Sequence, residues 1–444
     1  MATDILLVNP FSWTRDGRAA YLPYGILYMA SYLRKRGVSV EIHDCNTADY
    51  VMDHISESKP DTIGLSVLTG PVIKEALEIS RSVKEQYPEI KIVWGGLHPT
   101  LFPDSVRREK SVDYIIRGEG EKALDNLLNH MEYGSIYDNA SLIDLDAEPM
   151  PAWDMLPDIG RYIMNKHYGD RVLTLNTSRG CVNDCAFCFN SAMSTHKWRA
   201  LSAKNIWAQV ATLYFRYGIN GIQFYEDNFD VDKERVKEFC QLMIKTGMNK
   251  HVKWAHFSCV KKADKDLIDY EREAGCREIG YGVESGSNRI LKLLNKNQTT
   301  KDIERAFRVC NKARVKATSL FMIGLPTETD HELNETKNLI GRLRSYQDIC
   351  TIYRPYPKTK LHDMCGIKTP GTLEAQADFY AYGELDKDAR NVSELSTDIL
   401  LKAQAYFYRN TLKKELLSCV RDFNIKRFIY LLKEGFKWFR AHIA

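Results

Sequence analysis

The sequence predicts an α/β chain built on two successive parallel sheets, on three observations. Short apolar runs alternate with helix-period segments through roughly the first 125 residues, the pattern lapses across a proline-bearing stretch, and a second alternation begins near residue 169. Alternation of this kind pairs strands in parallel through helical crossovers. The expected layout is a doubly wound, Rossmann-like sheet over 1–135, a linker over 136–168, a partial (β/α)6 TIM-type barrel over 169–365, and a small, mainly helical C-terminal region over 366–444.

The first sheet opens with DILLVNP, a buried-strand run. YGILYMASYLRKRG follows with helical periodicity, a basic last turn and Gly37 as its stop. VSVEIHD, TIGLSVL, KIVWGGL and VDYIIRG supply four more strands. In such sheets ligands bind at the carboxyl ends of the strands. The small and polar residues gather there: Asn9, Ser66, Thr69, Gly95, Gly96, His98 and Gly118. AEPMPAWDMLPDIG, with Pro149, Pro151 and Pro157, has no periodicity and reads as linker.

The second series offers the strands VLTLNTS, GIQFYED, VKWAHFS, REIGYGVES, ATSLFMIG and ICTIYRPYP, separated by helical runs such as NIWAQVATLYFRYG and DLIDYEREAG. Function in barrels of this kind gathers at the strand C-termini. Cys181, Cys185 and Cys188 follow the first of these strands at once, in TLNTSRGCVNDCAFCFN.

Bulk properties narrow the class. A chain of 444 residues suggests two or three domains. A net charge of +4 gives no case for nucleic acid. No run of about 18 apolar residues is present, so no membrane span is expected. MATDILLVNPFSW has no basic n-region or cleavage site, so no signal peptide is expected. Eleven cysteines in such a chain imply a reducing, cytoplasmic setting, where thiols stay free or bind metal. Disulfides are therefore disfavoured. Structural zinc wants four ligands, usually as two separated pairs, with His196 the available fourth. Three thiolates on a four-iron cluster would leave one iron open to a small molecule.

CVNDCAFC, set after the first barrel strand, resembles the CxxxCxxC loop of radical S-adenosylmethionine (SAM) enzymes. TSRGC before it, KWRALS after it, and FYEDNF, GYGVESGS and FMIGLPTET at later strands extend the resemblance over about residues 170–360. It implies a 4Fe-4S cluster on Cys181, Cys185 and Cys188, whose open iron binds SAM for reductive cleavage to a 5′-deoxyadenosyl radical. It implies Phe187 near the adenine, and Glu226, Asp227, Glu284 and Ser285 near the ribose and methionine parts. Arg179 and Arg199 would meet the SAM carboxylate or neutralise the cluster. Each of these has a structural alternative: a helix cap, an ordinary ion pair or, for Gly282, Gly286 and Gly324, a tight turn. Two places depart from the family. PYPKTK carries Lys358 where many relatives have glycine, and HFSCV offers Ser258 and Cys259 where relatives often have arginine. Both bear on substrate choice, and Cys259 reads best as a buried, inert thiol.

The front sheet resembles the cobalamin-binding domain of one branch of that superfamily. Ser66 and Leu68 in SVL, Gly95, Gly96 and His98 in WGGLHP, and Gly118 and Glu119 in RGEGE carry the resemblance. Asn9 and Thr69 complete the expected contacts. The DxHxxG motif is absent, so this domain is not expected to give histidine to cobalt, and a vestigial, cofactor-free domain is the alternative reading. His98 is expected as a loop residue near the corrin edge.

Residues 412–444 hold eight basic and three acidic residues, +5 in a chain of net +4. Ile425, Phe428, Ile429, Leu432, Phe436, Phe439 and Ile443 share one helical face, with Trp438 nearby. That face is expected to pack on the barrel, with peripheral contact to an anionic membrane as the rival. The implied function is cobalamin-dependent methylation of an unactivated carbon, or phosphorus, in a small-molecule or lipid substrate, fed by a low-potential donor such as a ferredoxin or flavodoxin. A cobalamin-independent dehydratase, cyclase or rearrangement enzyme is the first alternative, and a non-catalytic corrinoid or cluster sensor the second.

Overall fold

The computed structural model describes residues 3–10, 21–44, 48–129, 136–138, 142–190, 197–380 and 391–421, and beyond these 425, 427–429, 431–433 and 435. The chain divides into two compact units. One is Met1–Met164 with Gly366–Tyr382, and the other is Asn165–Cys365 with Gly383–Ala444.

In the first unit six strands, β1 (Ile5–Asn9), β2 (Val40–Asp44), β3 (Thr62–Ser66), β4 (Lys91–Gly95), β5 (Tyr114–Arg117) and β6 (Ile136–Asp138), form one sheet in the order β2-β1-β3-β4-β5-β6. Every neighbouring pair is parallel. β1, β3 and β4 are apolar almost throughout and buried, as parallel strands covered on both faces must be. The helix Tyr24–Lys35 buries one stripe and ends in Arg34 and Lys35, followed by Gly37 at φ +86°. The strand order reverses between β1 and β3, which makes the crevice at their carboxyl ends the switch point of the sheet.

Two segments depart from the expected boundaries. Residues 136–138, read as the start of a linker, form β6 beside β5. Gly366–Tyr382, assigned to the C-terminal region, joins the first unit, where Leu373 and Ala377 enter its core. Arg81 reaches Glu374 at 2.8 Å, and Lys74 pairs with Asp378.

The second unit is built on β7 (Met164–Lys166), β8 (Gly169–Leu175), β9 (Ser178–Arg179), β10 (Arg199–Ala200), β11 (Gly221–Phe224), β12 (Lys253–Ser258), β13 (Cys276–Glu284), β14 (Lys316–Ile323) and β15 (Gln347–Ile352). The main sheet runs β15-β14-β13-β12-β11-β8-β7, and its six long strands are parallel and in chain order. This is the expected open barrel of six βα units. The sequence starts its helices with caps: Ser202, Asp232, Asp264 and Thr299 each accept from a backbone N–H of the following first turn. The helix Thr397–Arg421 covers the edge strand β15. Asp348, 1% exposed, fastens it by accepting from Lys414 Nζ at 2.6 Å and Asn410 Nδ2 at 2.9 Å.

Candidate functional site

Because β8 and β11–β14 are parallel, the segments leaving their carboxyl ends converge. The segment after β8 carries the three cysteines. Its neck is a small antiparallel pair, β9 with β10, which places Arg179 directly across from Arg199. Gly180 stands at φ +82°, and a Cβ there would lie 2.2 Å from the Lys197 carbonyl oxygen, so only glycine lets the two ends pass. Later chain holds the loop itself. Ala186 N–H donates to Leu294 O at 2.9 Å, and Leu361 N–H donates to Ala186 O at 2.8 Å. Asn295 Nδ2 donates to Asp184 O at 2.6 Å, and Lys360 pairs with the Asp184 carboxylate.

Cys181 is buried, and Cys185 and Cys188 are half-buried. Burial pushes the Cys188 thiol up to about 12 and raises that of Cys185. Thiolates there need a strong positive partner, which a bound metal supplies. Among the described residues no three Cys, His, Asp or Glu side chains gather closely enough to hold a single ion. A four-iron cluster would ask less of them than a single ion, because it offers a separate iron to each thiolate. His196, the fourth ligand a zinc site would need, lies outside the described residues. Two arginines directly opposite in a strand pair repel, so the neck concentrates positive charge beside the cysteine loop.

The acidic residues divide. Glu226 is 8% exposed. Its Oε1 accepts from Thr177 N at 2.9 Å and Thr177 Oγ1 at 2.5 Å, and its Oε2 accepts from Ser178 Oγ. Arg235 Nη2 stands 3.9 Å from Oε2 and also donates to Thr177. Glu226, expected at the ribose, therefore locks the turn that enters the cysteine loop. Ser285, 0% exposed, is similarly redirected: its hydroxyl accepts from Ser287 N and meets Thr336 Oγ1 at 3.3 Å. Asp227 is exposed beside Cys188 and Asn190, and partial enclosure raises its carboxyl above the ordinary range while Asn190 opposes that rise.

Glu284 sits at φ +65°, a left-handed backbone that a glutamate rarely adopts. Its Oε1 accepts from Lys296 Nζ at 2.7 Å, with Glu284 buried and the Lys296 side chain 12% exposed. Gly282 makes the space: a Cβ there would meet Glu284 Oε1 at 2.6 Å and Lys296 Nζ at 2.7 Å. Lys296 lies 5.6 Å over the Phe187 ring. Burial works against its ammonium, but Glu284, then Cys185 and Cys259, outweigh burial and raise its pKa above the ordinary value. The sequence reading missed Lys296; nothing local marks a lone lysine twelve residues beyond its partner.

Cys259, expected as an inert buried thiol, is half-buried and belongs to this constellation. Its sulfur accepts from Asn183 Nδ2 at 3.3 Å and Asn228 Nδ2 at 3.4 Å, and the same Asn183 amide stands 3.6 Å from Cys181 Sγ. Burial pushes its thiol up to about 11. Lys358 adopts φ +59°, the conformation glycine takes without strain.

In the first unit the turns that leave the carboxyl ends of β3 and β4 run close together beside the switch point. Val67 N–H donates to Gly95 O at 2.8 Å, and Gly96 stands at φ +96° with only 3.1 Å between its missing Cβ and Val67. Gly118 is exposed at φ +78° with half-buried Glu119 beside it, Ser66 is half-buried, and Leu68 is left 38% exposed. These residues fit a broad cofactor laid against bare backbone. Three expected contacts are already engaged within the protein. His98 is 0% exposed and lies against Phe102 with Thr69, itself 7% exposed, 3.5 Å from its Nδ1; burial pushes its pKa down to about 3. It is therefore not at an open corrin edge. Asn9 donates to Asp44 Oδ1 at 2.8 Å, and the other Asp44 oxygen accepts from Tyr162.

The comparisons agree with both halves. The B12 binding domain model matches residues 18–128, and the radical SAM superfamily model matches residues 175–340. An uncharacterised methyltransferase of Pyrococcus horikoshii is 27% identical over 414 residues, covering 87% of either chain. The anaerobic magnesium-protoporphyrin IX monomethyl ester cyclase of Cereibacter sphaeroides is 27% identical over 389 residues, 80% of this chain and 63% of its own. The radical SAM methyltransferase TsrM of Kitasatospora setae superposes with a TM-score of 0.69 over 82% of this chain and 76% of its own, at 17% identity, a likeness of fold. TsrM has also been solved with cobalamin and a 4Fe-4S cluster bound. The chain therefore carries a B12-binding domain over residues 18–128 followed by a radical SAM domain over residues 175–340.

Proposed function

We propose that this enzyme is a cobalamin-dependent methyltransferase acting on an unactivated carbon, or phosphorus, centre of a small-molecule or lipid-linked substrate. The observation that carries the reading is the presence in one chain of two features: a pinned three-thiol loop beside Lys296–Glu284, and glycine turns at the carboxyl ends of a parallel sheet with a switch point. When bound, the cluster supplies the electron that cleaves SAM and cobalamin supplies the methyl group to be transferred. In this reading Cys181, Cys185 and Cys188 hold the cluster and Phe187 flanks the adenine. Arg199, with Arg179 and Lys296, receives the SAM carboxylate; Asp227 and Glu284 offer acceptors to its ammonium and ribose hydroxyls. Ser66, Leu68, Gly95, Gly96, Gly118 and Glu119 receive cobalamin. A low-potential ferredoxin or flavodoxin supplies electrons.

The cyclase relative favours a second reading, a radical cyclisation or rearrangement that forms no new methyl group. The deciding experiment is anaerobic purification with hydroxocobalamin supplied, followed by metal analysis and incubation with SAM labelled in its methyl group. About one cobalt per four irons, 5′-deoxyadenosine, and label in a product support methyl transfer. Deoxyadenosine without cobalt or transferred label would move the assignment to the second reading. Reconstituted protein that cannot cleave SAM would overturn both.

A further inference from the structure

We propose that the C-terminal helical segment docks this protein on an anionic membrane surface, lying on the lipid. The first observation is charge. Residues 412–444 carry +5, against +4 for the whole chain, so the remainder is close to −1. Lys414 is engaged by Asp348 and Arg427 by Glu415, which leaves six basic and two acidic residues of the segment outside those two pairs. Lys413 and Lys433 are exposed.

The second observation is orientation. The apolar face expected to pack on the barrel is turned outward at three of its four described positions: Ile425 is 72% exposed, and Ile429 and Leu432 are 49% exposed. Their spacing of four and three residues puts them on one helical face. Phe428 is half-buried, whereas Phe436, Trp438, Phe439 and Ile443 lie outside the described residues. The inward side is a different one. Leu431 is 5% exposed, and a Cβ on buried Gly435 would come within 2.7 Å of Leu412. The end of the preceding helix repeats the inversion, with Leu417 and Val420 each 61% exposed while Glu415 and Ser418 are buried. A helix seated on a globular core ordinarily does the opposite.

Charge selects the occupant. An exposed aliphatic face alone would suit a second protein, but one set in a basic segment of an otherwise slightly acidic chain suits anionic headgroups over an apolar interior. Among the described residues no helix is long and apolar enough to cross a membrane. This inference does not depend on the proposed reaction.

The test is co-sedimentation of the full-length holoenzyme, under anaerobic conditions, with vesicles of phosphatidylcholine alone or mixed with phosphatidylglycerol. The expected result is at least about tenfold stronger partitioning to the mixed vesicles, reversed by high salt. The triple variant Ile425→Ser, Ile429→Ser, Leu432→Ser should lose that partitioning while still cleaving SAM. Lys413→Glu with Lys433→Glu should weaken it without touching the apolar face. Equal partitioning to both vesicle types, or none, overturns the proposal. So does concentration-dependent self-association that the triple variant abolishes, because a second copy of the chain would then be the partner.

Discussion

Lys296 and Glu284 are the residues whose removal should be most informative. Replacing one member of a buried ion pair leaves the other charged and desolvated, at a cost of about 3–5 kcal/mol. Lys296→Met should therefore lower the unfolding free energy of the apo-protein by about that amount, whereas Lys296→Met with Glu284→Met should recover much of it. Both variants should fail to cleave SAM. Chemical denaturation separates the two effects; a double variant no more stable than the single one would show that the pair is not what the fold depends on. Asn183 offers a finer test. An N–H directed at a cluster sulfur raises its reduction potential, so Asn183→Leu should lower the midpoint measured by redox titration without loss of iron. The cysteines were legible because their spacing is local. Lys296 was not, because its partner, Gly282 and the Phe187 ring meet only through the fold. Glu226 and Ser285 were legible as site-adjacent positions, but not as groups held by Thr177, Ser178 and Thr336.

At the scale of elements, Asp348 is the fastening of the helix Thr397–Arg421. It accepts from Ser319 Oγ at 2.7 Å, from Ser345, and from Asn410 and Lys414 on that helix. Asp348→Ala should destabilise the second unit by about 3–5 kcal/mol and expose the helix to limited proteolysis, because Lys414 loses its buried counter-charge. Cleavage rates equal to those of the wild type would contradict this role. The long apolar strands were legible from pattern alone. β6 was not: Ile136–Asp138 has no apolar run and exists as an edge strand because β5 offers it a ladder. The outward turn of Ile425, Ile429 and Leu432 was also hidden, because periodicity marks an apolar face without saying which way it points.

Across the second unit, several buried acids set a common pH dependence. Burial raises Asp230 to about 6 and Glu328 to about 7, against roughly 4 for such groups in an unfolded chain. The folded state then binds more protons than the unfolded state between those limits. Their contribution is fully present below about pH 4 and is lost as pH rises toward 7. His256 has the same sign, because Glu271 outweighs the burial that opposes its charge. His98 in the first unit has the opposite sign: depressed to about 3, it favours the fold above its unfolded value of about 6.5. The clean measurement is therefore a difference. Glu328→Gln keeps an acceptor for Gly324 N and Leu325 N, so its stability relative to the wild type should grow from pH 5 to about pH 8. A difference that is flat across that range would contradict the assignment. The two-sheet plan was legible at this scale, but the return of Gly366–Tyr382 to the first unit was not, since no composition shift marks it.

The anchors of the cysteine loop also impose an order in time. Ala186 is bonded to Leu294 and Leu361, and Asp184 to Asn295 and Lys360, all more than a hundred residues downstream. At common rates of synthesis, roughly ten to thirty-five seconds separate the emergence of the thiols from that of their last anchors. Through that interval the nascent chain displays three cysteines without the frame that spaces them. A chain truncated before Lys360 should therefore take up less iron on anaerobic reconstitution than the full chain, and equal iron content would contradict this dependence on late-synthesised anchors.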